Sequence, residues 1–419
     1  MLHILVNAYA VSPTWGSEPG MGWNWVINLA QYCRVTVITE GEWRREIEAA
    51  LAELPQRANL RFIYNPASPR VRRMCWNQGD WRFYWHYRRW QRRTLRLARQ
   101  IVASEHVDAI HQLNMIGFRE PGYLWKIKNV PFVWGPVGGM ELVPTGYLKG
   151  DRLRRRLAYK LKNTLNELQY RHHPRVRAAI RRADVVLAAV KGVQDVLRDV
   201  YHKPSLLINE TGTTVDAPIA HTGHADSEFR IVWVGRFLPS KLLGLALRAI
   251  THTKAPRIKF HIYGTGDDRT VAEMRLLATR LGIDEQCVWH GKVAHEHILT
   301  MMAQSDLMLF TSVMEATSTV VLEAITAGLP VLSFYTCGFG PLVRAFAGVA
   351  IDLTTPEESV AEFAAQINYL AAHPTVLSQI SQAEIQNRST LSWDSKARRM
   401  VEIYNDIVNK YSQTHHYED

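Results

Sequence analysis

Short apolar runs alternate with segments of helical periodicity from one end of the chain to the other. Apolar runs at 2–8, 34–39, 59–64, 107–112, 131–134 and 184–189, then at 230–234, 257–263, 286–290, 306–310 and 330–334, predict buried strands. Amphipathic patterns between them, such as 23–31, 241–252, 268–281 and 355–371, predict helices. Strand and helix in strict alternation imply α/β domains of the Rossmann type, with parallel sheets wrapped by helices. The polar stretch 209–228 follows neither period and marks a boundary. The expected organisation is an N-terminal domain 1–208, a C-terminal domain 209–390, and a segment 391–419. That segment holds a helix over about 393–411 behind Ser392 as N-cap, crossing back to the N-terminal domain, and a polar tail.

Composition narrows the class. The chain has 419 residues, 47% hydrophobic and 21% charged, an ordinary globular profile with room for two or three domains. Leu2-His3-Ile4-Leu5-Val6 lacks a basic leader and reads as a first strand, and no apolar stretch reaches the ~18 residues of a membrane span. Cys33, Cys75, Cys287 and Cys337 are widely spaced, which argues against a zinc site or a disulfide framework and suits a cytoplasmic setting. The net charge of +11 is concentrated. Residues 70–99 hold ten Arg and one Asp, and residues 151–182 hold eleven Lys or Arg against two acids, so the remainder is net acidic.

In parallel sheets ligands bind beyond the carboxyl ends of the strands. After run 2–8 comes a glycine-rich stretch, Gly16-Ser17-Glu18-Pro19-Gly20-Met21-Gly22, before helix 23–31. It reads either as an anion-binding loop at a helix N-terminus or as a plain β–α turn, and it lacks the GxGxxG spacing of dinucleotide sites. After run 230–234 come Gly235, Arg236 and Lys241, two cations suited to phosphate oxygens. After run 306–310, Thr317, Ser318 and Thr319 stand where a helix should begin, with amides that suit a diphosphate. Glu315 precedes that helix. Glu323 lies inside it among Leu322, Ala324 and Ile325, and an acid in apolar company calls for a partner.

Together these residues resemble the retaining glycosyltransferases of glycosyltransferase family 4, which have the GT-B fold. The likeness spans nearly the whole chain and is strongest over 230–334. Its most specific element is the E-x7-E pattern formed by Glu315 and Glu323. Gly235-Arg236 with Lys241, Gly264-Thr265-Gly266, and His290-Gly291-Lys292-Val293 also match, the last lying beside the nucleotide base in that family. The Gly16 loop looks like the family's diphosphate loop, and Gly135-Pro136-Val137-Gly138-Gly139 like one lining its interdomain cleft. The resemblance implies two Rossmann-like domains facing across a cleft, with Glu315 on the donor sugar and Glu323 on the ribose. It implies a nucleotide-sugar donor, and a reaction that retains anomeric configuration with neither metal nor cofactor. Lys241, Arg236, Glu315 and His111 are the catalytic candidates. Gly16, Ser17, Gly264, Val293 and 317–319 are donor contacts, and Asn114, Arg119, Glu120 and Gly138 acceptor contacts. Two departures stand out. Ala316-Thr317-Ser318-Thr319 replaces the family's Gly-Phe-Gly, and Leu113 occupies the place of its second histidine, so a core role for His111 stays open.

The basic stretches lie in the half expected to take the acceptor. Arg interleaved with Trp81, Trp85 and Trp90 suits either anionic lipid head groups or a helix whose tryptophans fill the core. A glycan acceptor, free or on a polyprenyl diphosphate, fits such a surface, as does a peripheral site on the inner face of the cell membrane. Two rivals are a GT-B-fold epimerase or phosphorylase and a basic nucleic-acid-binding protein. No zinc finger, RNP pattern or KH loop supports the second. His290, His295 and His297 read as a histidine-bearing turn, since no acid or cysteine completes a metal set nearby.

Overall fold

A computed structural model describes residues 1–76, 81–148, 153–213, 228–255 and 257–415. Most of the boundary stretch expected at 209–228, and the end of the polar tail, lie outside the described residues. The chain divides into two compact units. One comprises Met1–Glu141, Leu165–Thr211 and Trp393–Asp419; the other comprises Leu142–Thr164 and Gly212–Ser392.

The first unit is built on seven parallel strands: β1 (His3–Ala8), β2 (Arg34–Thr39), β3 (Leu60–Tyr64), β4 (Ala109–Asn114), β5 (Phe132–Val137), β6 (Val185–Ala188) and β7 (Ser205–Leu207). Their order is β3-β2-β1-β4-β5-β6-β7. Every residue of β1, β4 and β5 is buried, because helices cover both faces of the sheet. Helix Ser17–Leu29 packs against the C-terminal helix Trp393–His415, with Trp25 edge-on to Trp393 at 5.7 Å.

The second unit holds six parallel strands: β8 (Phe229–Val234), β9 (Ile258–Tyr263), β10 (Cys287–Gly291), β11 (Leu307–Phe310), β12 (Val331–Phe334) and β13 (Val349–Ile351). They run β10-β9-β8-β11-β12-β13. In both sheets the order reverses once, between β1 and β4 and between β8 and β11. Neighbouring loops diverge at such a point and leave a crevice beyond the strand ends.

The apolar runs match the strands to within three residues at either end. The exceptions are β7 and β13, three residues each and too short to show a period. Two local expectations change. Helix 23–31 starts at Ser17, so Gly20 and Gly22 are helical rather than loop residues. A Cβ on Gly20 would meet the Trp15 carbonyl at 2.2 Å, and one on Gly22 the Ala10 carbonyl at 2.5 Å. These glycines let the helix lie against the preceding loop. Residues 135–137, expected in a loop, finish β5, and only Gly138 and Gly139 follow it.

The arginine-rich segment divides its aromatic residues by helical phase. In helix Trp81–Ser104, Phe83, Tyr87 and Trp90 are buried and pack with Tyr9, while Trp81 and Trp85 are 77% and 54% exposed. No helix among the described residues is long and apolar enough to cross a membrane.

Candidate donor site

The second unit gathers its chemistry at the β8/β11 reversal. Beyond β8 the chain passes Gly235 and Arg236 into a short turn, Pro239–Lys241, before helix Leu243–Thr251. Beyond β11 it forms a loop that ends at helix Thr319–Thr326, with Ser318 as N-cap. The two loops are stitched together. Thr311 Oγ1 donates to the Lys241 carbonyl at 2.8 Å, and the Val313 amide donates to the Ser240 carbonyl at 2.9 Å. Trp233 Nε1 donates to Thr311 Oγ1 at 3.2 Å from within the sheet.

This stitching sets Lys241 directly against Glu315 in an ion pair, with the two side chains only 16% and 15% exposed. The Lys241 ammonium also lies 5.2 Å from the centre of the Phe310 ring. Ser312 Oγ donates to Glu315 Oε1 at 2.8 Å, and the Glu315 amide reaches Cys337 Sγ at 3.3 Å. The direct counter-charge and the hydroxyl fix both groups in direction. Arg236 differs: it is exposed and pairs with no described residue, so its guanidinium is available to an anion.

The partner expected for Glu323 is His295, whose Nε2 lies 2.9 Å from Oε1. Sequence reading left this pair unseen, because its members lie on different elements and no spacing rule connects them. The same holds for Ser312 and Cys337 around Glu315.

Loops beyond β9 and β10 complete the rim. Gly264 sits at φ 132°, and a Cβ there would stand 1.8 Å from the Gly235 carbonyl oxygen. Only glycine lets these backbones meet. The Phe237 amide donates to Thr265 O at 2.9 Å, and the Gly264 amide to Gly291 O at 2.8 Å. His290 stacks on Tyr263 with ring centres 4.2 Å apart and 4° between planes, and its Nε2 lies 3.0 Å from His261 Nδ1. Burial, then the neighbouring His290, pushes the His261 pKa down to about 4. Val293 is half-buried against the apolar cluster around β11. No three His, Cys, Asp or Glu side chains converge among the described residues.

In the first unit the candidates are mostly committed to structure. His111 is fully buried on β4; its Nε2 faces the Gly135 carbonyl at 2.7 Å, and its Nδ1 meets the Tyr404 hydroxyl. Burial pushes its pKa down to about 4. It is therefore a neutral core histidine with both nitrogens engaged, and the catalytic role considered for it gives way to that one. Asn114 Nδ2 donates to the Ala10 carbonyl at 2.7 Å, tying the ends of β1 and β4 together. Arg119 Nε donates to Gln169 at 2.6 Å, and the guanidinium also meets Asn166. Glu120 is buried between Arg88, at 2.7 Å, and Arg175, so each of its oxygens meets a guanidinium rather than an acceptor. Gly138 is buried and exchanges backbone hydrogen bonds with Ile116 and Phe118. Gly16, the N-cap of its helix, and Ser17 remain exposed.

Residues 216–387 match the family described as Glycosyl transferases group 1. A D-inositol 3-phosphate glycosyltransferase of Thermomonospora curvata is 26% identical over 194 residues, covering 43% of this chain and 44% of that protein. The lipopolysaccharide glucosyltransferase WaaG of Escherichia coli is 36% identical over 78 residues, 19% of this chain and 20% of that one. The chain thus spans less than half the length of these curated relatives. Among solved structures, Anabaena Alr3699/HepE in complex with UDP superposes with a TM-score of 0.59 at 15% identity, over 97% of this chain and all of that one. A likeness of that kind carries the fold. The two parallel-sheet units are those of a GT-B fold, and the match to the Glycosyl transferases group 1 family falls on the second of them, over residues 216–387.

Proposed function

We propose that the protein is a retaining, metal-independent glycosyltransferase of family 4. It moves a sugar from a nucleoside-diphosphate sugar to a glycan or lipid-linked glycan in surface or exopolysaccharide assembly. The observation that carries this reading is the Lys241–Glu315 pair at the β8/β11 reversal, with exposed Arg236 on one loop and the start of helix Thr319–Thr326 on the other. Two cations and a row of helix-start amides at one strand end suit a diphosphate. The UDP bound by the Anabaena neighbour and the transferase activities named for the two relatives support the same donor class.

In this reading the diphosphate lies against Arg236, Lys241 and the amides of Thr317, Ser318 and Thr319. Lys241 exchanges Glu315 for a phosphate oxygen, which turns the carboxylate toward sugar hydroxyls. As the bond between the anomeric carbon and the diphosphate oxygen breaks, negative charge gathers on the leaving group, where fixed cations stabilise it. The acceptor hydroxyl bonds to the same face of the anomeric carbon and passes its proton to a diphosphate oxygen. Glu323, partnered by His295, holds the ribose.

Saturating UDP or GDP should raise the melting temperature; at about a hundred times Kd a native-state ligand contributes roughly 2.7 kcal/mol. Nucleotide sugar alone should stay intact over minutes and be consumed once acceptor is added. Conversion of the sugar without acceptor points instead to an epimerase and overturns this reading.

The protein acts in the cytoplasm, peripherally on an anionic membrane. Exposed Trp81 and Trp85 support this, as do exposed Leu157, Leu161, Leu165 and Leu168, which share one face of helix Leu153–His172 with Lys160 and Lys162 nearby. Co-sedimentation should be strong with vesicles of phosphatidylcholine and phosphatidylglycerol and weak with phosphatidylcholine alone. Equal binding to both excludes the charge-driven attachment.

A further inference from the structure

A cavity of about 370 Å³ opens in the first unit beyond the carboxyl ends of β1 and β3. Its floor is aromatic: Tyr9 follows β1, and Trp90 stands edge-on to it at 4.9 Å. Its wall is cationic. Arg89, Arg92, Arg93 and Arg96 all line it, and no acid does.

Two other arginines of this region have counter-ions. Arg88 is paired with Glu120 and Arg72 with Glu40. None of the four cavity arginines forms an ion pair with a described residue. Two are instead laid against rings, Arg89 over Trp85 at 4.9 Å and Arg92 over Tyr123 at 5.8 Å, and Arg93 reaches the Pro66 carbonyl at 3.3 Å. A guanidinium lying on a ring is positioned while its N–H edge stays free. Arg89, Arg93 and Arg96 share one helix face at spacings of four and three residues, where like charges repel each other. A cluster held in place without counter-charge suits an anion with several oxygens, which guanidinium forks grip two at a time. Ser68 adds a hydroxyl, and the volume lies within the range of small-molecule sites.

We propose that this cavity is a second phosphate site, taking a phosphate- or diphosphate-bearing ligand on Arg89, Arg93 and Arg96. That the ligand is the acceptor, gripped by its phosphate, rests on the transferase reading above; the anion site itself does not.

The test uses the full chain carrying Lys241→Ala, which removes the donor-side cation, and follows inorganic pyrophosphate by calorimetry. One saturable site is expected, weakened at least tenfold by adding Arg89→Gln, Arg93→Gln and Arg96→Gln together. Arg96→Glu alone, at an exposed residue, should weaken it several-fold and guards against misfolding of the triple variant. Vesicles of phosphatidylcholine with phosphatidic acid separate the two sources. Sedimentation lost in the triple variant assigns the phosphate to a lipid head group. Sedimentation retained, with pyrophosphate binding lost, assigns it to a soluble phosphorylated ligand. Unchanged pyrophosphate affinity in the triple and single variants, or no saturable binding by the parent, overturns the proposal. UDP affinity measured with Lys241 intact should be unaltered by the arginine changes, so failure of the donor reading registers separately.

Discussion

Alanine at position 241 should lower turnover by roughly 10²–10³-fold, the usual cost of losing one preorganised group that stabilises charge in a transition state. Lys241 is mostly buried, lies beside the Phe310 ring, and is directed by Glu315. Without it the Glu315 carboxylate keeps the Ser312 hydroxyl and loses its counter-charge. Both effects act on the leaving group and the sugar, so kcat and kcat/KM should fall together while nucleotide affinity changes less. Lys241→Arg keeps the charge but spreads it over a planar fork, and should recover part of the loss. Steady-state release of nucleoside diphosphate with donor and acceptor measures all three proteins. Turnover by Lys241→Ala equal to that of the parent would remove the diphosphate assignment.

The second large effect concerns stability and comes from Glu18, near the start of the helix that follows β1. Its carboxylate accepts the Ile116 amide at 2.6 Å, while burial, with the Glu210 charge adding, pushes its pKa from 4.5 up to about 7. Between those values the folded protein keeps a proton that the unfolded chain has released. The unfolded state binds fewer protons, so stability falls as pH rises through that window. The full cost above the folded pKa is on the order of 3 kcal/mol, at about 1.36 kcal/mol per unit. Glu18→Gln retains an oxygen for the Ile116 amide and has nothing to ionise. Its stability relative to the parent should therefore improve by about 3 kcal/mol between pH 4.5 and pH 8, read from urea unfolding at both values. A stability difference that is the same at both pH values shows that Glu18 ionises normally.

The sequence by itself determined the alternation of strand and helix and hence two α/β units with parallel sheets, while the strand order and its reversals came from packing. A strand buried on both faces must be apolar throughout, and a covering helix must repeat near 3.6 residues, so both leave local signatures. It also placed Gly235, Lys241 and Glu315 after strand ends in the second unit and Glu323 in the helix that follows, since the residues that follow a strand in a parallel sheet are fixed by chain order. Gly264 was legible as a glycine, but the reason, a carbonyl oxygen 1.8 Å from any Cβ, lies in a neighbouring loop. Only the tertiary structure decided which charges have partners. Glu315 meets Lys241 across 74 residues of chain, Glu120 meets Arg88 and Arg175, and His111 meets Tyr404 of the C-terminal helix. The same arginine-rich helix looked uniformly basic as a sequence, yet its arginines split into neutralised and unneutralised sets once folded. Ion pairs and buried hydrogen bonds join residues by distance in space. No period or spacing along the chain encodes them, so they become visible only when the elements are packed.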